Sequence, residues 1–203
     1  MLIVATMLWE PNEASLSFSR MYDESWVEKL YRGFKRHLTV PFEFICFTDK
    51  ERTFSESEIK QEPIESELNY GAYIEPFKMN EPMILVGLDT VITGNIDHLA
   101  EYCLEGGKLA VPRDPFFPEK VCNGVALIPG GSAWVFEGHE GQNDMDYIRS
   151  LDVAVIDDIW PGEVVSYKGH VKGYGLDGVK ICYFHGEEKP HQLTHDWIER
   201  EWR

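Results

Sequence analysis

Four side chains capable of acid–base chemistry stand at the edges of apolar segments. Asp89 closes MILVGLD, His185 closes KICYFH, and Asp144 and Asp146 open DMDYIRSL. Carboxylates and imidazoles hold divalent ions and exchange protons with hydroxyl groups, so these four residues are the first candidates for a functional site. A purely structural role stays open for each: a strand-end acid, a packed histidine, or acids that favour a helix dipole.

The apolar runs predict the elements that must position these side chains. LIVATML is a continuous apolar run that predicts a central parallel strand covered on both faces. Residues 23–38 carry apolar side chains at helical spacing, with Asp23 as the N-cap. Residues 53–69 predict a loop region with one short strand near IKQEPI. The remaining strand candidates are FEFICFT, MILVGLDTVI, KLAVP, GVALIP and KICYFH, and MDYIRSL predicts a short helix.

This alternation of strands and helices predicts an α/β fold with a mixed, mainly parallel sheet flanked by helices. The length of 203 residues predicts a single domain over residues 1–203. Ligands of such sheets bind beyond the carboxyl ends of the strands. Asp89 and His185 both fall at predicted strand ends, so a ligand site is expected there.

Composition disfavours two classes of partner. The formal net charge of -16 disfavours long nucleic acid and anionic membrane surfaces, which need clustered cations. One diphosphate remains compatible with this charge, because a few cations at close range outweigh a screened, distant surface. The opening MLIVATMLW has no basic leader and is too short to span a bilayer, and the four cysteines have no metal-ligand spacing. A cytoplasmic protein with reduced thiols is expected.

Five stretches in order along the chain resemble GT-A-fold glycosyltransferases, above all the glycogenin-like and bacterial lipopolysaccharide galactosyltransferase-like group. They run from residue 26 to about residue 193, which is nearly the whole chain. Each motif alone is weak, whereas their common order is specific. The stretches are WVEKLYRGFKRHLTVPFEFICFTD, LVGLDTVITGNID, CNGVALIP, NDMDYI and YFHGEEKPHQL.

The second stretch is similar to the family's strand that ends in D-x-D and continues to G-N-[IL]-D. Aligning residues 94–97 with the latter puts Asp89 at the second acid and Gly87 in place of the first. The resemblance implies that Asp89 binds Mn²⁺ or Mg²⁺ on the donor diphosphate. The family's metal-binding histidine is replaced by Tyr183, and His185, two residues on, is the candidate second ligand.

The resemblance also implies the residues that hold the donor. Asn123 and Gly124 match the strand beside the donor sugar. Gly186 and Lys189 match the C-terminal H-x-x-G-x-x-K-P-W loop, in which the lysine binds the diphosphate and the glycine lets the backbone approach it. The tryptophan of that motif is His191 here.

The function implied is transfer of a sugar from a nucleotide-diphospho-sugar, with UDP as the expected nucleotide, to a hydroxyl acceptor, expected to be a glycan. Asp144 and Asp146 are the candidate catalytic residues, to orient a hydroxyl or take its proton. A catalytically inactive carbohydrate- or nucleotide-binding module of the same fold stays open as the alternative, because Gly87 and Tyr183 replace family ligands.

Overall fold

The computed structural model describes residues 1–15 and 19–203. The strands, in chain order, are β1 (Leu2–Leu8), β2 (Phe42–Thr48), β3 (Ile59–Pro63), β4 (Met83–Val86), β5 (Val91–Ile92), β6 (Ala110–Val111), β7 (Val125–Ile128), β8 (Ala154–Val155), β9 (Val164–Ser166) and β10 (Ile181–Tyr183). The α-helices are α1 (Glu24–His37), α2 (Asp97–Glu105), α3 (Ala133–Glu137), α4 (Asp144–Ser150), α5 (Ile156–Ile159), α6 (Lys172–Tyr174) and α7 (Asp196–Glu201). Two 3₁₀ helices cover Tyr70–Met79 and Pro190–Gln192, and a π-helix covers Tyr167–Val171.

Seven strands form the main sheet, in the order β3-β2-β1-β4-β7-β6-β8. β7 runs antiparallel to its neighbours β4 and β6, while the other pairings in this sheet are parallel. The predicted mixed, mainly parallel α/β sheet is confirmed. A smaller sheet contains β5, β10 and β9, with β10 antiparallel to β5 and parallel to β9.

The main sheet is covered on both faces, as the unbroken apolar run of β1 predicts. Every residue of β1 is buried. Leu2, Val4 and Leu8 face one apolar cluster, whereas Ile3, Ala5 and Met7 face the other. Helices α1 and α2 contribute to the first cluster; the 3₁₀ helix Tyr70–Met79, α3 and α4 contribute to the second. A strand covered on both faces has no polar side, because successive side chains point to opposite faces.

Helix α1 forms where the apolar spacing of residues 23–38 predicts it. The Asp23 side chain accepts a hydrogen bond from the backbone N–H of Ser25 at 3.0 Å, which satisfies one free donor of the first turn. The apolar stripe of the helix is buried against the sheet, and Lys35, Arg36 and His37 lie in its last turn, where cations favour the helix dipole.

The prediction of one long strand over MILVGLDTVI is wrong. The run divides into β4 of the main sheet and β5 of the small sheet. Between them the chain turns at residues 87–90, where the N–H of Thr90 donates to the carbonyl of Gly87 at 3.1 Å. Asp89 therefore lies in a tight turn between two sheets. Apolar content alone cannot distinguish one long strand from two short ones that leave in different directions.

All four cysteines are buried and free, and burial raises the pKa of Cys46 and of Cys103 to about 12, so both thiols stay protonated.

Within residues 1–15 and 19–203, helices of the length and apolarity needed to cross a bilayer are absent.

Candidate functional site

A cavity of about 170 Å³ opens at the carboxyl ends of the adjacent parallel strands β1 and β4. This is the edge at which the strand pattern predicts ligand binding. Its wall is apolar and aromatic over most of its surface, with two carboxylates among the lining side chains. The lining residues are Met7, Leu8, Trp9, Ser19, Tyr22, Tyr70, Tyr73, Gly87, Leu88, Asp89 and Asp144.

Asp89 stands at one side of this cavity and is 7% exposed. Its Oδ2 atom forms an ion pair with Nζ of Lys189, and the hydroxyl of Tyr22 donates to the same oxygen at 3.0 Å. Burial, together with the negative charge of Asp89, raises the pKa of Tyr22 well above its usual range. The phenol thus remains protonated and acts as a donor, so the buried carboxylate is satisfied by one charged and one neutral group.

Lys189 reaches Asp89 because the loop after β10 folds back toward the turn between β4 and β5. The loop turns at Gly186, whose φ of +68° favours glycine. The N–H of Lys189 donates to the Gln192 side chain at 2.9 Å, which fixes the start of the 3₁₀ helix Pro190–Gln192. The ring of His191 in that helix packs edge-on against Trp26 of α1, with 5.2 Å between centroids. These contacts hold the lysine over the strand ends.

Asp144 lines the same cavity as Asp89 and is the first residue of α4. The side-chain amide of Asn123, just before β7, donates to its Oδ2 at 2.6 Å. Burial raises the pKa of Asp144 above its usual range in spite of this hydrogen bond. A carboxylate in such a setting is a better proton acceptor than a solvated one, because its ionised form is less stabilised.

Tyr73 adds a polar group to the otherwise aromatic wall. Its hydroxyl oxygen is buried and has no hydrogen-bond partner within the part of the chain that the structure describes. Burial raises its pKa well above the usual value, and the charges of Asp144 and Asp89 add to the shift. Buried hydroxyls are rarely left unpaired in proteins, so this one is suited to meet a polar group of a ligand.

A second cavity of about 220 Å³ lies beside the first. Asn123 lines it and also bonds to Asp144 of the first cavity, so one amide joins the two. His185 lines the same space, with Nε2 2.7 Å from the Ser166 hydroxyl. Burial and the positive charge of Lys168 hold the pKa of His185 below its usual value. The histidine is therefore neutral at pH 7.

The structure brings together most of the sequence-predicted site residues. Asp89 and Lys189 form one pair, and Asn123 and Asp144 form another. Gly124 and His185 line the second cavity, and Gly186 follows His185 in the loop after β10. Asp146 lies elsewhere: its side chain is 77% exposed, and its nearest cation is Arg149 at 4.0 Å. Whether each of these residues binds or reacts with a ligand stays a prediction.

The residues that the resemblance assigns to a divalent ion do not fit one in this arrangement. Oδ2 of Asp89 already meets an ammonium and a phenol. His185 bonds to Ser166, and the hydroxyl of Tyr183 lies 3.4 Å from the sulfur of Cys122. Three or more metal-binding side chains in one group do not occur within residues 1–15 and 19–203.

Sequence reasoning did not find Tyr73 or the exposed aromatic pair beside the second cavity. Tyr70 and Tyr73 are three residues apart, and this spacing places them on one face of a 3₁₀ helix, so the sequence contained a pattern that could have indicated Tyr73.

Phe116 and Phe117 are 58% and 54% exposed, in the turn held by Asp114, whose Oδ1 accepts from both of their N–H groups. The ring of Phe116 packs edge-on against His185 at 5.4 Å.

The fold is that of the GT-A glycosyltransferases. The glycosyltransferase GlyE of Streptococcus pneumoniae TIGR4 superposes with a TM-score of 0.61 at 15% identity, over 98% of this chain and 58% of GlyE. The galactosyltransferase LgtC, in complex with donor and acceptor sugar analogs, superposes with a TM-score of 0.57 at 10% identity, over 98% of this chain and 93% of LgtC. The bifunctional glycosyltransferase WbbM gives 0.59 at 10%, over 93% and 46%.

At these identities the likeness concerns the fold alone. This chain spans little more than half of GlyE and nearly all of LgtC. No family model and no curated protein sequence matches the chain.

Proposed function

We propose that this protein transfers a sugar from a nucleoside-diphosphate sugar, with UDP as the nucleotide, to a hydroxyl group of a glycan. One observation carries the proposal. One cavity at the strand ends of a glycosyltransferase fold has aromatic walls and two buried carboxylates: Asp89, which is paired with Lys189, and Asp144, whose pKa is raised. The aromatic walls suit a nucleobase, the lysine suits a diphosphate, and the carboxylate with the raised pKa suits a reacting hydroxyl.

The donor's parts each have a chemical counterpart in the cavity. Trp9, Tyr22 and Tyr70 supply planar rings on which a uracil stacks. The unpaired hydroxyl of Tyr73 is suited to a ribose or sugar hydroxyl. Lys189 supplies the positive charge for the diphosphate, because an ammonium is a compact charge with several donors.

The transfer itself exchanges one bond to the anomeric carbon for another. The bond from this carbon to the diphosphate oxygen breaks, and its electron pair stays on the departing diphosphate, next to Lys189. The acceptor oxygen forms the new bond and loses its proton to Asp144. Preorganised positive charge beside a leaving group is the kind of stabilisation that contributes most to such reactions.

The acceptor side of the proposal is the second cavity. Asn123, which bonds to Asp144, lines it, so an acceptor there lies next to the proposed base. Phe116 is exposed at its edge, and an exposed aromatic ring beside a polar pocket is suited to stack on a sugar ring. The net charge of -16 would attract a cationic peptide only through its sign. A glycan acceptor, which can stack on Phe116, therefore fits this surface better.

A nucleotide- or carbohydrate-binding module without catalysis is the second candidate. The observation in its favour is that Asp89 is neutralised by Lys189, while Gly87 brings no second carboxylate. Binding without donor consumption is then expected.

The test is release of UDP from UDP-glucose, UDP-galactose and UDP-N-acetylglucosamine, with and without an oligosaccharide acceptor. Acceptor-dependent release and a lengthened glycan would support transfer. Nucleotide binding without any consumption over a long incubation would favour the binding module. If neither binding nor turnover occurs with any nucleotide sugar, both candidates fail.

A further inference from the structure

The carboxylate of Asp89 already holds a cation that belongs to the protein. Lys189 and Asp89 are 6% and 10% exposed as side chains, and Tyr22 completes the contact at 3.0 Å. In such a buried pair each charge depends on the other, because water cannot replace a lost partner. A divalent ion on the same oxygen would have to displace the ammonium or sit against it.

Gly87 belongs to the same arrangement. A Cβ atom at this position would lie 3.1 Å from Oδ1 of Asp89, closer than ordinary van der Waals contact. The absence of a side chain thus allows the Asp89 carboxylate to stand where it meets Lys189. The glycine fits the present ion pair, whereas a carboxylate there would add negative charge and crowd it.

Positive charge continues along the loop after β10. Nζ of Lys168 lies 3.0 Å from the place where a Cβ of Gly186 would stand, so the glycine lets this ammonium approach the loop backbone. His185 feels positive charge from both Lys168 and Lys189. The carboxylates of Asp89 and Asp114 oppose this effect, and Asp89 is paired with Lys189, so Lys168 is the ammonium that adds positive charge here; it repels a metal cation and attracts a phosphate.

We infer that the ammonium of Lys189, held by Asp89 and Tyr22 and assisted by Lys168, takes the place of a divalent ion, so that the donor diphosphate binds without metal. The inference rests on the proposed function. Asp89 is then a positioning residue: its contact with Lys189 fixes the lysine side chain beside the cavity.

The test is calorimetric titration of the full chain with UDP, GDP, CDP and ADP, once with Mn²⁺ and once with excess EDTA. We expect the affinity for the preferred nucleotide to change by less than about threefold between the two conditions, which is under about 1 kcal/mol. A diphosphate itself binds Mn²⁺, so the electron paramagnetic resonance signal of free Mn²⁺ should be the same for Mn²⁺ and nucleotide with the protein as for Mn²⁺ and nucleotide without it.

Variants assign the effect to the ion pair. Lys189→Met should weaken nucleotide binding by about tenfold or more, since a hydrogen bond to a charged group is worth about 1.5–3 kcal/mol. If this variant fails to fold with Asp89 unpaired, the double variant Lys189→Met/Asp89→Asn removes both charges and serves instead. Lys172→Met is the matched control, because Lys172 is an exposed lysine paired with Glu188 on the surface at 2.7 Å.

Each outcome decides between the two proposals. Equal binding with Mn²⁺ and EDTA, lost in the lysine variants and kept in the control, supports the inference. Binding that requires Mn²⁺ overturns it and leaves the proposed function intact. Absence of binding for all four nucleotides under both conditions overturns the inference together with the proposed function.

Discussion

Asp144 is kept by the fold in a setting that favours its neutral form. Burial raises its pKa, while the Asn123 amide offsets part of the effect. When folding raises the pKa of an acid, its contribution to the free energy of unfolding is fully present below the unfolded pKa of about 3.9. This contribution is lost as the pH rises through the folded pKa. At neutral pH the folded protein therefore carries the full cost of this buried charge.

We expect Asp144→Asn to separate stability from activity. The amide keeps the size and an acceptor oxygen for Asn123 but removes the charge, so thermal unfolding at pH 7 should occur at or above the wild-type temperature. The difference should vanish below pH 4. Transfer should fall by about 10²–10⁴-fold if Asp144 takes the acceptor proton.

The comparison is Asp146→Asn, which changes an exposed acid of the same helix. A larger loss of transfer there than in Asp144→Asn would reassign the base to Asp146. A lower unfolding temperature for Asp144→Asn at pH 7 would contradict the account of the buried charge.

Phe116 sets a second test at the level of one residue. Removing its ring should raise KM for a glycan acceptor by about 2–10-fold, because an aromatic contact is worth about 0.5–1.5 kcal/mol. Affinity for UDP should not change, since Phe116 lies beside the second cavity and not the first. Phe117→Ala is the control: Phe117 is equally exposed, but its ring faces Lys120. Equal effects of the two variants would remove the acceptor role from Phe116.

At the level of elements, the sequence predicts where strands and helices form better than it predicts which of them pair with each other. The predictions of a helix over residues 23–38 and of strands over LIVATML and FEFICFT are confirmed. Each segment carries apolar residues at the spacing of its element and has a clear end. MILVGLDTVI is not one strand, since the turn at Gly87 sends β5 into another sheet. That division depends on contacts between segments distant in sequence, which periodicity does not contain.

The candidate site shows the same limit. Motif order predicted Asp89, Lys189, Asn123 and Asp144 as neighbours of a ligand, but it did not pair them. The ion pair of Lys189 with Asp89 joins residues 100 positions apart and follows from the way the last loop folds over β4. Tyr73 was missed because its role depends on the burial of one oxygen atom.

Helix α7 fixes the end of the chain that follows the lysine loop. Its buried Glu201 lies 2.8 Å from His37 and 2.6 Å from Arg200. Burial opposes ionisation of Glu201, yet the hydrogen bonds from His37 and Arg200 prevail and lower its pKa. For a lowered acid pKa, the stability is present above the unfolded pKa of about 4.3 and is lost as the pH falls through the folded pKa.

We expect Glu201→Gln to lower the free energy of unfolding at pH 7 by about 1–3 kcal/mol, the usual worth of a charged hydrogen bond in a buried setting. The loss should shrink as the pH falls below 4, because the wild-type carboxylate is then neutral as well. Urea unfolding at pH 7 and pH 3 measures both. Glu199→Gln, an exposed acid on the same helix, should stay within about 0.5 kcal/mol of wild type. An equal loss of unfolding free energy at both pH values would show that packing, and not the charge of Glu201, holds α7 in place.

For the whole molecule, the net charge and the site have opposite signs. The formal charge of -16 repels an anionic donor at long range, whereas Lys189 and Lys168 attract it at short range. Salt screens these two effects unequally. The Debye length falls from about 30 Å at 0.01 M to about 8 Å at 0.15 M, so long-range repulsion weakens first, and the buried lysine is screened far less.

We therefore expect the association rate of UDP to rise between 0.01 M and 0.15 M NaCl, contrary to the fall seen when a basic surface steers an anion. Stopped-flow quenching of tryptophan fluorescence measures the rate, because Trp9 lines the cavity. Uridine, which carries no charge, is the control and should associate at the same rate at both salt concentrations. A rate for UDP that falls with salt would mean that a local positive field extends well beyond the cavity and governs the approach of the donor.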